Sequence, residues 1–96
     1  MEKIIVNDIE YQIWLRIRLS IAAYAYEKCN DSIITDSEYD SLSLKVDTSI
    51  KTGNKKLDKF FKDNFDPSTG QWIYTHPELE RIEQLYNKFF VPEEIT

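Results

Sequence analysis

The sequence predicts a mostly α-helical fold, a compact bundle of about four helices with a helical hairpin in its N-terminal half and a short extended segment near Trp72. Three observations carry this. Apolar residues recur at spacings of three and four through four stretches, the period of a helix face rather than of a strand. A helix-start residue stands before each stretch: Asn7, Thr35, Asn54 and Thr75. Glycine and proline are scarce, two and three in 96 residues, so little interrupts regular structure.

Residues 1–6 form a short lead, in which Lys3-Ile4-Ile5-Val6 reads as a brief strand or a tail on the core. Asn7 is an N-cap, with Glu10 three residues on. Ile9, Ile13, Ile17, Ile21 and Tyr24 then mark the buried stripe of a long helix over residues 8–28. Trp14, Leu15, Leu19 and Ala22 widen that stripe, while Gln12, Arg16 and Glu27 lie off its centre. Residues 29–32 are a loop. Helix two runs from Asp36 to about Asp47, with Tyr39, Leu42 and Val46 as its inner line. Gly53-Asn54 is a turn and cap. Helix three covers about Lys55–Asn64, with Leu57, Phe60 and Phe61 inward and Lys55, Lys59 and Lys62 on the other side. Residues 66–70 form a turn cluster, and Gln71–Tyr74 reads as extended, a short strand or a plug on the core. Thr75-His76-Pro77-Glu78 is a second capping box, with proline where its missing N–H costs nothing. Helix four runs from Pro77 to about Phe90, buries Leu79, Ile82, Tyr86 and Phe89, and stops at Pro92 before a frayed acidic end.

Composition narrows the function. The length suits one domain, residues 1–96. Seventeen acids against twelve bases give a net charge of −5, which argues against non-specific duplex binding and suits a basic partner. The lone Cys29 permits neither an internal disulfide nor a cysteine zinc site, in keeping with the host-cell cytoplasm. No apolar run approaches the roughly 20 residues of a membrane span, and the first residues lack a signal-peptide layout.

The stretch richest in chemistry is Ile34-Thr35-Asp36-Ser37-Glu38-Tyr39-Asp40. Thr35 and Glu38 make a capping box, and Asp36 sits in the first turn, where the helix dipole favours negative charge. Asp36, Tyr39 and Asp40 share one helix face. Many helices simply begin this way. Together with Tyr24-Ala25-Tyr26, however, the stretch resembles the small N-terminal helical domain of NAD-dependent DNA ligases, over roughly residues 12–46. The chain resembles short stand-alone phage proteins of that type more than it does a full ligase. The resemblance implies that Tyr26, Asp36, Tyr39 and Asp40 hold the nicotinamide mononucleotide half of NAD, with tyrosines on the ring and carboxylates on ribose hydroxyls. Where the family places a residue suited to the nucleotide after the tyrosine matching Tyr26, this chain has Glu27, whose charge repels a phosphate.

No catalytic set is expected. Lys56-Leu57-Asp58-Lys59 lacks the glycine of an adenylation motif, His76 reads as a capping or surface residue, and Cys29 has no partner base. Asp31, Asp36 and Asp40 lack the alternating spacing of a calcium loop, so no metal is expected. The leading expectation is a small non-catalytic phage or mobile-element protein that inhibits a host nucleic-acid-targeting complex, of the CRISPR defence type, by covering its basic surface. Asp31, Glu38, Glu78, Glu80 and Glu83 are its candidate partner-binding acids. The alternative is a stand-alone module binding NAD or nicotinamide mononucleotide. Nucleic-acid contact through Lys55, Lys59 and Lys62 is the weakest reading, because the surrounding acidity opposes it.

Overall fold

The structure, a computed structural model, describes residues 7–90. The expected lead at residues 1–6 and the expected stop at Pro92 lie outside them. Four α-helices, α1 (Asp8–Cys29), α2 (Asp36–Ser43), α3 (Lys55–Asn64) and α4 (Leu79–Phe90), and a 3₁₀ turn at Gln71–Thr75 make up the regular structure; no strand occurs among the described residues. α1 is the support. It packs against α4, α2 and the 3₁₀ turn.

The caps work as the sequence implies. The Glu10 N–H donates to Asn7 Oδ1 at 2.8 Å, Glu38 N–H to Thr35 Oγ1 at 3.0 Å and Leu57 N–H to Asn54 Oδ1 at 3.1 Å. α1 ends where Asn30 adopts the left-handed conformation at φ 54°, and the Asp31 N–H closes on Ala25 O at 2.9 Å. Past α2 the chain runs back along α1, from Ala25 at one end to Gln12 and Arg16 near the other. α1 and α2 thus form the expected hairpin.

The buried stripe of α1 matches the expected one at Leu15, Leu19, Ile21, Ala22 and Tyr24 and departs from it at the other positions. Gln12, Leu15, Arg16, Leu19 and Ser20 face inward, while Ile9, Ile13, Trp14 and Ile17 are 39–50% exposed. Polar bonding decides the register. Gln12 Oε1 accepts from the Asp47 N–H at 3.0 Å, and Gln12 Nε2 donates to Lys45 O at 3.0 Å. Arg16 reaches Asp58 Oδ1 at 3.0 Å, Asp47 O at 2.9 Å and Ile50 O at 3.0 Å, and lies 5.5 Å from the centre of the Phe61 ring. Buried donors and acceptors must be paired. This network pairs those of the 45–50 loop.

It also shortens α2, which ends at Ser43 rather than near Asp47. Lys45 gives its carbonyl, and Asp47 its N–H, to Gln12 instead of to a helix ladder. The expected extended segment at Trp72 is a 3₁₀ turn, closed by Ile73 N–H to Gly70 O and His76 N–H to Ile73 O, both 3.1 Å. Consecutive strand residues point to opposite faces. The turn instead carries the neighbours Trp72 and Ile73 into the core together.

α4 starts at Leu79, not Pro77, and the N–H just ahead of it is taken by His76 rather than Thr75. The Glu78 N–H donates to His76 Nδ1 at 3.0 Å, whereas the Thr75 hydroxyl donates to Trp72 O at 3.2 Å. His76 is buried, not at the surface, with its ring edge-on to Phe60 at 5.0 Å. Burial pushes its pKa down to about 4. Phe89, expected in the core, is 64% exposed. The core is Leu15, Leu19, Phe60, Phe61, Trp72, Ile73, Ile82 and Tyr86, with Tyr24 edge-on to Tyr86 at 5.5 Å.

Candidate functional site

A cleft of about 280 Å³ lies between the C-terminal half of α1, the start of α2 and the 66–70 turn. Each wall follows from local sequence. α1 supplies Ala22 and Ala23, whose small side chains leave room, and Tyr26. The 30–35 loop supplies Ser32, Ile33 and Ile34. The Thr35 cap fixes the first turn of α2, so Asp36 and the next-turn pair Tyr39 and Asp40 look into the cleft. Ser68, Thr69 and Gly70 form the far wall. That wall is shaped by Asp66, whose carboxylate accepts from the Ser68 N–H at 2.9 Å and hydroxyl at 2.7 Å.

All four predicted ligand residues, Tyr26, Asp36, Tyr39 and Asp40, therefore line one cavity. Their roles differ. Tyr26 is 58% exposed and offers a free aromatic face. Asp36 and Asp40 are exposed carboxylates. Tyr39 is structural at its hydroxyl, which donates to Thr69 O at 3.2 Å and accepts from Trp72 Nε1 at 3.1 Å. It ties α2 to the far wall and contributes only its ring. Burial raises its pKa, and the nearby charges of Glu27 and Asp40 add to the rise.

Glu27 stands at the rim. Its Oε2 is 3.5 Å from where a Cβ on Gly70 would be, and the Tyr74 hydroxyl lies 3.1 Å from its carbonyl and 3.4 Å from Oε1. Burial and that same carboxylate raise the Tyr74 pKa. Among the described residues no lysine, arginine or histidine lines the cleft.

The predicted partner-binding acids are not drawn into one site. Asp31 is half-buried and accepts from the Tyr86 hydroxyl at 2.7 Å, a bond that, with burial, raises the Tyr86 pKa. It staples the loop after α1 to α4. Glu78 is half-buried and lies 3.8 Å from Arg81. Glu38 on α2, and Glu80 and Glu83 on α4, are exposed. Glu38 makes no hydrogen bond back to the Thr35 N–H, so only half of that capping box forms. Among the described residues no group of three or more His, Cys, Asp or Glu side chains could hold a metal ion. Lys59, on the basic side of α3, is paired with Asp63 at 2.8 Å.

Sequence reasoning missed Ser68, Thr69 and Gly70. The Asp-Pro-Ser-Thr-Gly turn was legible, but its apposition to α2 depends on Tyr39 reaching across 30 positions to Thr69. No family model, curated protein or solved structure matches this chain. None of these comparisons links the chain to the NAD-dependent DNA ligase domain.

Proposed function

We propose that this protein is a non-catalytic binding module whose cleft takes a ribosylated flat ring of the nicotinamide kind. One observation carries the reading: Tyr26, Asp36, Tyr39 and Asp40, separate in sequence, line one cavity of about 280 Å³. That is close to the lower end of ordinary small-ligand pockets, roughly 300 Å³. The chemistry of the walls suits the ligand. Carboxylates accept hydrogen bonds from vicinal ribose hydroxyls, and Tyr26 offers a face to a cationic ring. Ala22, Ala23 and Gly70 leave the space.

The test is a titration of the purified protein with nicotinamide-containing ligands by NMR or calorimetry. Saturable binding lost in Asp36→Asn/Asp40→Asn, with helix content intact, is the expected result. Absence of binding by NAD, its mononucleotide and its riboside ends the reading.

A second reading is inhibition of a nucleic-acid-targeting complex, with a basic protein surface as partner. Its support is that Glu38, Glu80 and Glu83 are exposed and form no ion pair among the described residues. Retention of a basic partner by the wild type, lost when these three are changed to glutamine, tests it.

A further inference from the structure

The cleft is charged with one sign. Asp36 and Asp40 line it and Glu27 stands at its Gly70 edge, while among the described residues no cationic side chain is part of its walls. Glu27 is not a distant surface acid, since its Oε2 lies 3.5 Å from where a Cβ on the wall residue Gly70 would be. Lys28, the next residue on α1, lies over the Tyr74 ring at 5.5 Å and is not a cleft wall. A ligand phosphate placed here meets carboxylates and, among the described residues, finds no guanidinium or ammonium in the walls to give it a charge-assisted hydrogen bond. A cationic ring meets the opposite: carboxylates around it and an exposed tyrosine face.

Resting on the function proposed above, we infer that the cleft selects the phosphate-free, cationic nucleoside, a ribosylated pyridinium, over its 5′-phosphate and over the dinucleotide. The residues fit the ring and the ribose and do not fit the phosphate. Asp36 and Asp40 are the ribose acceptors, Tyr26 is the ring platform, and Glu27 is the specificity residue that excludes the phosphate.

The discriminating experiment compares nicotinamide riboside, nicotinamide mononucleotide and NAD by calorimetry at low and high salt. The riboside should bind at least about tenfold tighter than the mononucleotide at low salt, a gap of roughly 1.4 kcal/mol. Salt should weaken riboside binding and strengthen what mononucleotide binding there is, because screening acts on attraction in one case and repulsion in the other. Glu27→Gln should narrow the gap by improving the mononucleotide. Equal or tighter binding of the mononucleotide overturns the inference and leaves the binding function standing. An unchanged gap in Glu27→Gln, with both ligands binding, removes Glu27 from the role. Failure of all three ligands to bind overturns the function itself.

Discussion

His76 should make this protein lose stability as the pH falls through the mildly acidic range. In the folded chain the ring is 7% exposed, packed edge-on to Phe60, and its Nδ1 accepts the Glu78 N–H. That bond requires an unprotonated Nδ1, so the proton sits on Nε2. Burial lowers the pKa from 6.5 to about 4, against a small opposing pull from Glu78. The unfolded chain takes up a proton near pH 6.5 and the folded chain near pH 4, so between those values the unfolded state binds more protons. Stability is therefore complete above pH 6.5 and falls as pH drops through this window. The full effect is about 3 kcal/mol, at 1.36 kcal/mol for each pKa unit, and about 2 kcal/mol is gone by pH 5. For a chain of this size the latter corresponds to roughly 8–16 °C in Tm.

Urea unfolding at pH 7, 6 and 5 measures the effect. His76 is the only histidine, and the acids with shifted pKa values, Asp47, Asp58, Asp63 and Asp66, are all lowered from 3.8 and so release their stabilisation below this range. The control is His76→Asn, whose side-chain oxygen can take the Glu78 N–H but cannot titrate. It should start about 1–2 kcal/mol less stable at pH 7 because the ring contacts are lost, and then stay nearly flat to pH 5. An equal drop in the variant and the wild type refutes the reasoning.

Two further expectations concern α1. Arg16→Ala should cost about 3–5 kcal/mol in urea unfolding, because it leaves Asp58 half-buried without its cation and strips donors from Asp47 O and Ile50 O. Leu19→Ala should cost about 2–5 kcal/mol and Ile17→Ala only about 1 kcal/mol, since Leu19 is sealed and Ile17 is 41% exposed; equal losses would show that the isoleucine stripe is the buried one.

The helices and their starts were legible because they depend on local chemistry. Asn7, Thr35 and Asn54 each accept an N–H three residues on, and any chain with these residues before an apolar run has reason to start a helix there. The face of α1 was legible only in part. Leu15, Leu19, Ile21, Ala22 and Tyr24 are buried as expected, but apolar residues surround that helix, so the exposed Ile9, Ile13 and Ile17 read as part of the same stripe. What breaks the tie is the bonding capacity of Gln12 and Arg16, which looked like reasons for exposure. Their partners lie 31–42 positions away, and only folding reveals that the 45–50 loop needs them. The cap of α4 shows the same limit: Thr75 has the right chemistry, but Trp72 O is nearer to hand in a 3₁₀ turn, and the task passes to His76.

The cleft divides along the same line. Asp36, Tyr39 and Asp40 share a face because of helical spacing alone, and that much could be read in advance. Their meeting with Tyr26 needs the hairpin, and the closing of the far wall needs the Tyr39 hydroxyl bonded to both Thr69 and Trp72. One side chain thus joins α2, the turn and the core. α2 has only modest further anchorage: of its eight residues Ser43 is fully buried and Leu42 is partly buried against the core. A ligand spanning Tyr26, Asp40 and the 68–70 wall would bridge the same elements as Tyr39. It would bind only the folded arrangement, and so should raise stability by mass action, about 2.7 kcal/mol at a hundredfold excess over Kd. The geometry that makes α2 weakly held by packing is also the geometry that lets a small bound molecule hold it.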